Sequence, residues 1–283
     1  MPTVALLGTG LLGEAIGLRL LAQGVRLLVW NRSAAKCGAL LEAGAEPIDH
    51  LSGAARPCDT VITVLRDGAV SAEVVAALGD LGGACCMPMG TMGISESREL
   101  ATQVQEQNGA YLEAPVLGSK PEALKGSLLV MAGGDNAVFE AQLPLLQMLA
   151  VEPKRMGAVG SGAASKLALN QLIASLTHGY SLALRLVEAS GLEVERFMEV
   201  LRPSALYAPT VDKKLERMLG HHYADPNFTT ALLRKDLQLF LREAPRLGVD
   251  ASGLDGLLTL LQRAEHTPLD GGDYSALHEL TAE

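Results

Sequence analysis

Short apolar runs alternate with amphipathic stretches through the first half of the chain, which predicts strands and helices in turn. Buried strands are predicted at 4–7, 25–30, 60–65, 84–87, 110–114 and 128–132, with a short edge segment at 45–47. Helices are predicted between them at 14–21, 34–43, 69–78, 95–107 and 137–149, with Ser95 as the N-cap of the fourth. This alternation is typical of an α/β fold built on a doubly wound parallel sheet.

A different pattern begins at the glycine-rich turn 157–162. An apolar stretch with helical spacing runs from this turn to about Ser190, where Gly191 offers a stop. Only helical patterns follow, at 194–201, 211–219, 229–247, 253–264 and 274–283. We therefore predict a sheet-containing domain over 1–160, a long interdomain helix over 161–190 and an all-α C-terminal domain over 191–283.

The first predicted strand leads into a glycine motif that opens the first helix, Gly8-Thr9-Gly10-Leu11-Leu12-Gly13. The first glycine of such a motif permits a tight turn, and the second lets the backbone approach a pyrophosphate. The third lets the helix pack on the strand, and the free amides at the helix start bind the anion. A glycine turn without a ligand is the alternative, but the position between strand and helix favours a Rossmann-type cofactor domain.

The second predicted strand is followed by Asn31, Arg32 and Ser33, and Asn31 lies 23 residues (31 − 8) beyond the first glycine, near the expected offset of about 20. An NAD-binding protein usually carries an acid here for the ribose 2′-hydroxyl, and that acid would repel a 2′-phosphate. Arg32 would instead pair with the phosphate. The sequence therefore favours NADPH over NADH, with a solvated surface arginine as the alternative.

Lys166 and Asn170 lie four residues apart in the long helical stretch, so they share one helix face. The rest of that stretch is mainly Ala and Leu, which makes a polar pair on an inward face conspicuous. A lysine that snorkels from an ordinary helix is the alternative.

Composition and charge argue against several classes of function. The chain has 283 residues, enough for two domains, and it is 48% hydrophobic and 19% charged, which indicates a compact fold. A net charge of −9 argues against nucleic acid as a partner. Apolar runs stop well short of the about 20 residues that span a membrane. The start lacks a basic segment and a cleavage-like site, so we expect a cytoplasmic protein.

The cysteines do not predict a metal site. Cys37, Cys58, Cys85 and Cys86 lack metal-type spacing, and adjacent cysteines in a strand point to opposite faces. We expect four reduced core thiols. The pair His221-His222 has no ligand partners at suitable spacing, so no metal is predicted there either.

Taken together, the motifs resemble the β-hydroxyacid dehydrogenase family over nearly the whole chain. The matching segments are Gly8–Gly13, Glu113–Ser119 (usually D-A-P-V-S-G-G), Gly160–Asn170, Phe228–Asp236 and Asp273–Leu277. Within the family, Ala114-Pro115-Val116, Gly118–Pro121 and Asn31-Arg32-Ser33 look most like the NADPH-dependent glyoxylate and succinic semialdehyde reductases.

The resemblance implies hydride transfer from NADPH to a small aldehyde acid. Lys166 would be the general acid, and Asn170 would hold the substrate oxygen or orient the lysine. Phe228 and Lys235 would close the pocket, and Asp236 would pair with a cation. The implied substrate contacts are Thr91, Leu117, Gly118, Ser119, Phe228 and Asp236. The implied cofactor contacts are Gly8, Thr9, Gly10, Leu11, Leu12, Gly13, Asn31, Arg32, Ser33, Val64, Leu65, Arg66, Thr91 and Lys235. A homodimer or homotetramer is also implied.

Four positions in these motifs depart from the family pattern in ways that bear on the site. Leu117 and Gly90 replace serines that would donate hydrogen bonds to the substrate carboxylate, Pro88 replaces an aspartate in the same loop as Gly90, and Gln171 replaces an asparagine. Each lost neutral hydrogen bond would cost about 1 kcal/mol of affinity. We therefore expect weaker binding of glyoxylate and better use of longer aldehydes, and we expect Leu117→Ser with Gly90→Ser to lower the KM for glyoxylate.

Three alternatives remain open. A 3-hydroxyisobutyrate-type dehydrogenase would often prefer NAD, so Arg32 argues against it. An imine reductase usually lacks the lysine, so Lys166 argues against that activity. A non-catalytic NADPH-binding or scaffold protein is the alternative outside the enzyme class.

Overall fold

The computed structural model describes residues 2–282. The chain divides into two compact units after Leu167, within one long helix. The division of the chain into 1–160, 161–190 and 191–283 stays a prediction. Among the described residues, no helix combines the length and apolar character needed to cross a bilayer.

The first unit contains a nine-stranded sheet flanked by helices. The strands are β1 (Thr3–Leu7), β2 (Arg26–Trp30), β3 (Glu46–Pro47), β4 (Thr60–Thr63), β5 (Cys85–Pro88), β6 (Ala110–Glu113), β7 (Val116–Leu117), β8 (Leu129–Gly134) and β9 (Lys154–Gly157). The helices are α1 (Leu11–Ala22), α2 (Gly38–Glu42), α3 (Gly68–Leu78), α4 (Ile94–Glu106), α5 (Lys120–Lys125), α6 (Asn136–Leu149) and α7 (Ser161–Ala189), which continues into the second unit. A 3-10 turn at Ala34–Cys37 precedes α2.

The strand order is β3-β2-β1-β4-β5-β6-β8-β7, with β9 beside β8. Strands β1 to β6 pair in parallel, whereas β8 runs antiparallel to β6 and β7. The chain builds outward from β1 in one direction and then from β4 in the other. Such a reversal opens a crevice at the carboxyl ends of the two central strands, where doubly wound sheets bind ligands. The predicted α/β fold is confirmed.

The central strands are apolar on both faces because helices cover both sides of the sheet. Leu6 packs into one core and Leu7 into the other, and Cys85 and Cys86 divide in the same way, as predicted. Full burial of one leucine stabilises the fold by about 1.5–3 kcal/mol. All four thiols are free and buried, and burial raises the pKa of Cys58 to about 11, so that thiol stays protonated at neutral pH.

Several element ends differ from the prediction. Helix α4 begins at Ile94 with Gly93 as its N-cap, so the prediction of Ser95 at that position is wrong. Glu96 accepts a hydrogen bond from the Gly93 N–H at 2.8 Å, which closes the first turn two residues earlier than predicted. Strands β7 and β9 and helix α5 were not predicted, because segments this short carry little periodicity.

The second unit is helical over its described residues, as predicted for the C-terminal part. Its helices after α7 are α8 (Val194–Leu201), α9 (Thr210–Leu219), α10 (Thr230–Glu243), α11 (Asp255–Gln262), α12 (Pro268–Gly271) and α13 (Leu277–Leu280), with 3-10 turns at Pro245–Leu247, Ser252–Leu254 and Tyr274–Ala276. The helix predicted over 229–247 ends at Glu243, since Pro245 cannot supply the N–H that would continue it.

A buried ion pair joins α9 to the segment before α13. Asp273 is fully buried, and its Oδ2 lies 2.7 Å from Lys214 Nζ. Its Oδ1 accepts hydrogen bonds from the N–H and hydroxyl of Ser275. The Lys214 ammonium also lies 4.5 Å from the Tyr274 ring centroid. Removing one partner of such a pair costs about 3–5 kcal/mol, because the other charge is left buried.

Candidate active site

Two glycines of the first turn are required by packing. A Cβ on Gly13 would lie 2.0 Å from the Gly8 carbonyl oxygen, and a Cβ on Gly8 would lie 2.3 Å from that of Val64. Gly8 also has a φ of +100°, which side-chain-bearing residues rarely adopt. These two residues therefore hold β1, α1 and the end of β4 in close contact.

Gly10 is different, because a Cβ there would meet no protein atom within 4 Å. Gly10 is the N-cap of α1 with extended backbone and no side chain to bind the first turn. Its carbonyl accepts from Glu14 N–H, whereas the amides of Leu11, Leu12 and Gly13 precede the first intrahelical acceptor. Open space beside free amides at a helix start fits a pyrophosphate, so this turn can hold a dinucleotide.

The Asn31 side chain ties the glycine turn to the loop after β2. Its Oδ1 accepts from the Thr9 N–H at 3.2 Å, and its Nδ2 donates to the Ser33 carbonyl at 3.1 Å. The Thr9 hydroxyl is also used internally, since it donates to the Lys36 carbonyl. Arg32 is exposed and forms no hydrogen bond or ion pair with any residue in 2–282, so its guanidinium can reach an anionic ligand.

The loop after β4 contains Val64, Leu65 and Arg66. Arg66 pairs with Asp67, and Asp67 caps α3 by accepting from the Val70 N–H. The Leu65 carbonyl oxygen would lie 2.5 Å from a Cβ on Gly90. The expectation that Gly90→Ser restores a substrate contact is therefore wrong, because the close approach of these two loops requires glycine.

The loop predicted to bind the substrate carboxylate follows β6. Leu117 pairs with Leu129 at the sheet edge, and Gly118 has a φ of +127°. Ser119 is the N-cap of α5, and its N–H and hydroxyl both donate to Glu122 Oε2, at 2.7 and 2.8 Å. An incoming carboxylate would have to compete with Glu122 for both donors of Ser119.

Glu113 has a structural role that is not predicted from the sequence. It is 2% exposed, and its Oε1 accepts hydrogen bonds from the N–H groups of Gly160, Gly162 and Ala163, at 2.9, 2.7 and 3.2 Å. Ser97 donates to its other oxygen. Burial raises the pKa of the Glu113 carboxyl, and the Ser97 and amide bonds oppose that rise. An acid inside the otherwise apolar run 110–114 was the available signal, because a buried carboxylate needs partners.

Lys166 lies about one and a half turns after the start of α7 and is half-buried. Asn170 follows one turn later on the same face and is buried. Its Nδ2 donates to Asp236 Oδ2 at 2.5 Å, and the cation beside that carboxylate is Lys235, 2.8 Å from Oδ1. Within the described residues, Asn170 Oδ1 has no hydrogen-bond partner, so it can accept a hydrogen bond from a substrate group.

Phe228 and Thr91 are two further predicted substrate contacts. Phe228 packs against the core of the second unit, edge-on to Tyr274 with ring centroids 5.8 Å apart. Thr91 is half-buried in the loop after β5. Among residues 2–282, His, Cys, Asp and Glu side chains do not form a group of three that could hold a metal ion.

Comparison with known families covers almost the whole chain. Residues 3–160 match the family described as the NAD binding domain of 6-phosphogluconate dehydrogenase. Residues 160–281 match the family described as NAD-binding of NADP-dependent 3-hydroxyisobutyrate dehydrogenase. The chain is therefore an oxidoreductase that uses a nicotinamide cofactor on hydroxyl or carbonyl groups.

Individual proteins are similar over the same extent. Glyoxylate/succinic semialdehyde reductase 1 of Arabidopsis thaliana is 29% identical, covering 98% of this chain and 97% of that protein. The structure of Mycobacterium tuberculosis 3-hydroxyisobutyrate dehydrogenase with L-serine superposes with a TM-score of 0.88 at 24% identity, covering all of both chains. An imine reductase from Pseudomonas sp. superposes with a TM-score of 0.65 at 22% identity, covering 99% of both chains. These two structures share the fold.

Gly8, Gly10 and Gly13 have different surroundings, so substitutions in this turn test whether it binds the cofactor pyrophosphate. Gly10→Ala should leave stability within about 1 kcal/mol, since the protein leaves room for the methyl group. It should weaken NADPH binding by about tenfold or more, because the methyl group enters the space assigned to the pyrophosphate. Gly13→Ala should weaken binding and also destabilise the fold. Fluorescence titration with NADPH and thermal unfolding would measure both effects.

Gly38→Ala is the matched control. Gly38 has ordinary helical dihedral angles and open space around its Cβ position, so both quantities should stay unchanged. If Gly10→Ala binds NADPH as tightly as this control, the turn does not hold the pyrophosphate.

Proposed function

The chain belongs to the β-hydroxyacid dehydrogenase family, and we propose that it is an NADPH-dependent reductase of small aldehyde acids of the glyoxylate and succinic semialdehyde type. The observation that carries the proposal is the pair Lys166 and Asn170 on one face of α7, with Asn170 held by the buried Asp236. A lysine and an oriented amide are suited to an oxygen atom that gains negative charge and then a proton.

In the proposed reaction, Lys166 acts as the general acid. As an ammonium it donates a hydrogen bond to the carbonyl oxygen, stabilises the growing alkoxide and gives it a proton. Asn170 orients the lysine ammonium through its free Oδ1, which accepts a hydrogen bond, or holds the substrate oxygen through the second hydrogen of Nδ2, whose first hydrogen is donated to Asp236. Thr91, Gly118 and Ser119 receive the substrate carboxylate, with Phe228 and Asp236 as further substrate contacts. When bound, NADPH supplies the hydride.

The proposed cofactor preference rests on the residues after β2. Arg32 is exposed and Asn31 is neutral, so the loop carries a cation and lacks the acid that would repel a 2′-phosphate. The amides at the start of α1 would hold the pyrophosphate. Lys235, Leu65 and Arg66 complete the proposed cofactor contacts.

The proposed substrate range follows from Leu117 and Gly90. Neither residue offers a hydroxyl, and Gly90 cannot be replaced without a clash with Leu65. A carboxylate site with fewer donors binds the smallest acid less well, whereas a longer aldehyde gains apolar contact with Leu117. We place the reaction in the cytoplasm because all four cysteines are free thiols.

The alternatives are a 3-hydroxyisobutyrate-type dehydrogenase, an imine reductase and a non-catalytic NADPH-binding protein. Arg32 disfavours the first, since an NAD enzyme would carry an acid at the end of β2. The presence of Lys166 disfavours the other two. A shared fold with imine reductases does not decide between them, because one fold hosts several activities.

The activity test is NADPH oxidation, followed by absorbance, with glyoxylate, succinic semialdehyde and longer aldehydes. We expect turnover with the aldehyde acids and a loss of at least about 100-fold in kcat for Lys166→Ala, because general acid catalysis contributes about 10²–10⁴. Leu117→Ser should lower the KM for glyoxylate selectively. Turnover that survives in Lys166→Ala would remove this lysine from the chemistry, and reduction of imines alone would favour the imine reductase alternative.

The cofactor test compares NADPH with NADH. Arg32→Ala should raise the KM for NADPH about tenfold or more while the KM for NADH changes little, because a charge-assisted hydrogen bond contributes about 1.5–3 kcal/mol. Arg56→Ala is the control, since Arg56 is also an exposed arginine and lies outside the proposed contacts. Equal losses with both cofactors would contradict a contact with the 2′-phosphate.

The proposed assembly is a homodimer. In the second unit, helix α7 exposes an apolar stripe that a second copy of the chain would remove from water. The stripe is formed by Leu172, Leu176, Leu182 and Leu186. Light scattering should give twice the 29.7 kDa of one chain, or four times for a tetramer. Leu182→Glu with Leu186→Glu should shift the mass to that of a monomer, whereas Leu247→Glu, at an exposed leucine outside the stripe, should leave it unchanged. A monomeric wild type would contradict the assembly.

A further inference from the structure

The Glu113 side chain links two parts of the proposed site within the first unit. It is the last residue of β6, and the chain reaches the proposed substrate loop at Leu117 and Gly118 only four residues later. Its carboxylate contacts the first turn of α7, the helix that carries Lys166. One side chain therefore connects the substrate loop to the helix of the proposed general acid.

The contacts at the start of α7 leave this helix little freedom. The first amides of a helix have no partner inside the helix, and here one carboxylate oxygen accepts from three of them, at Gly160, Gly162 and Ala163. The negative charge also faces the positive end of the helix macrodipole. The second oxygen is held by Ser97, whose hydroxyl lies 2.8 Å from that of Tyr111.

The surrounding backbone reserves space for this carboxylate. A Cβ on Gly133 would lie 2.2 Å from Glu113 Oε1, and a Cβ on Gly162 would lie 3.1 Å from the same atom. Gly162 also approaches the Met131 carbonyl oxygen, to which its Cβ would come within 2.4 Å. A side chain at either glycine would displace the carboxylate, so the glutamate and the two glycines form one packed unit.

We propose that Glu113 is a positioning residue, which holds the first turn of α7 and thereby sets where Lys166 stands relative to the loop 116–119. The inference rests on the proposed function, since it assigns Lys166 to the chemistry. Lys166 is three residues beyond Ala163, about 4.5 Å along the helix axis, so a shift of the first turn moves the lysine with it. A displacement of about 1 Å at a reacting group can cost about 100-fold in rate.

The experiment compares Glu113→Gln with the wild type. Glutamine keeps the shape and one acceptor oxygen but loses the charge. The contact that holds the first turn of α7 therefore weakens while the fold is retained. We expect kcat for the best aldehyde to fall about tenfold to 100-fold, with the Kd for NADPH unchanged within about twofold, because the glycine turn that binds the cofactor is not touched. Glu113→Ala should lower kcat further.

Lys214→Met is the control that separates the positioning of Lys166 from the stability of the fold. It breaks a buried ion pair in the second unit, so it should lower the unfolding temperature while kcat stays unchanged. If Glu113→Gln behaves in the same way, with lower stability and full kcat, Glu113 is only structural and the proposal is overturned. A fall in kcat at a temperature where both variants are folded supports it.

Hydrogen exchange gives a second readout that needs no reaction. In Glu113→Gln, the amides of 160–166 should exchange faster than in the wild type, whereas those of the α1 turn should not. If the wild type reduces no aldehyde, the proposed function fails, and exchange alone then decides whether Glu113 holds the helix. Unchanged exchange at 160–166 would contradict the proposal that Glu113 holds the first turn of α7, even in an active enzyme.

Discussion

The structure of the first unit depends on how one buried carboxylate is satisfied. Glu113 ends a strand inside the core, where an unpaired charge would be very costly. The start of α7 presents the complementary problem, since its first amides have no acceptor within the helix. Each group satisfies the other, and the consequence is a long helix whose first turn is fixed to the end of β6. This contact joins the helix that carries Lys166 to the strand that leads into the loop 116–119.

The second unit solves a similar problem with Asp236. This carboxylate is also buried, and it accepts from the Asn170 amide while Lys235 supplies the neighbouring positive charge. Burying a carboxylate costs free energy, but a buried carboxylate with a charge partner and hydrogen bonds is a rigid acceptor. Its partners cannot leave without leaving a charge unpaired in an apolar environment. Lys166 and Asn170 on α7 are therefore each associated with a buried carboxylate. Asn170 contacts Asp236 directly through its side-chain amide, whereas Lys166 is connected to Glu113 only through the helix backbone.

The glycines of this protein divide by what surrounds them rather than by motif membership. Gly8 and Gly13 are crowded by backbone and serve packing, whereas Gly10 in the same motif faces open space, into which a bound cofactor would fit. Gly90 belongs to the crowded class, because the Leu65 carbonyl lies against it. A comparison of motifs alone suggests a lost hydroxyl at this position, but the neighbouring loop decides that only glycine fits.

The sequence by itself determined the α/β class, the glycine turn, the long helix and the face shared by Lys166 and Asn170, because each of these depends on residues close together in the chain. Only the tertiary structure decided the role of Glu113, whose amide partners are 47 to 50 residues away. It likewise decided that Gly90 is crowded and that Asp236 holds Asn170, 66 residues earlier in the chain. Contacts over such distances depend on which strands and helices become neighbours, and a local pattern of apolar and polar residues does not contain that information.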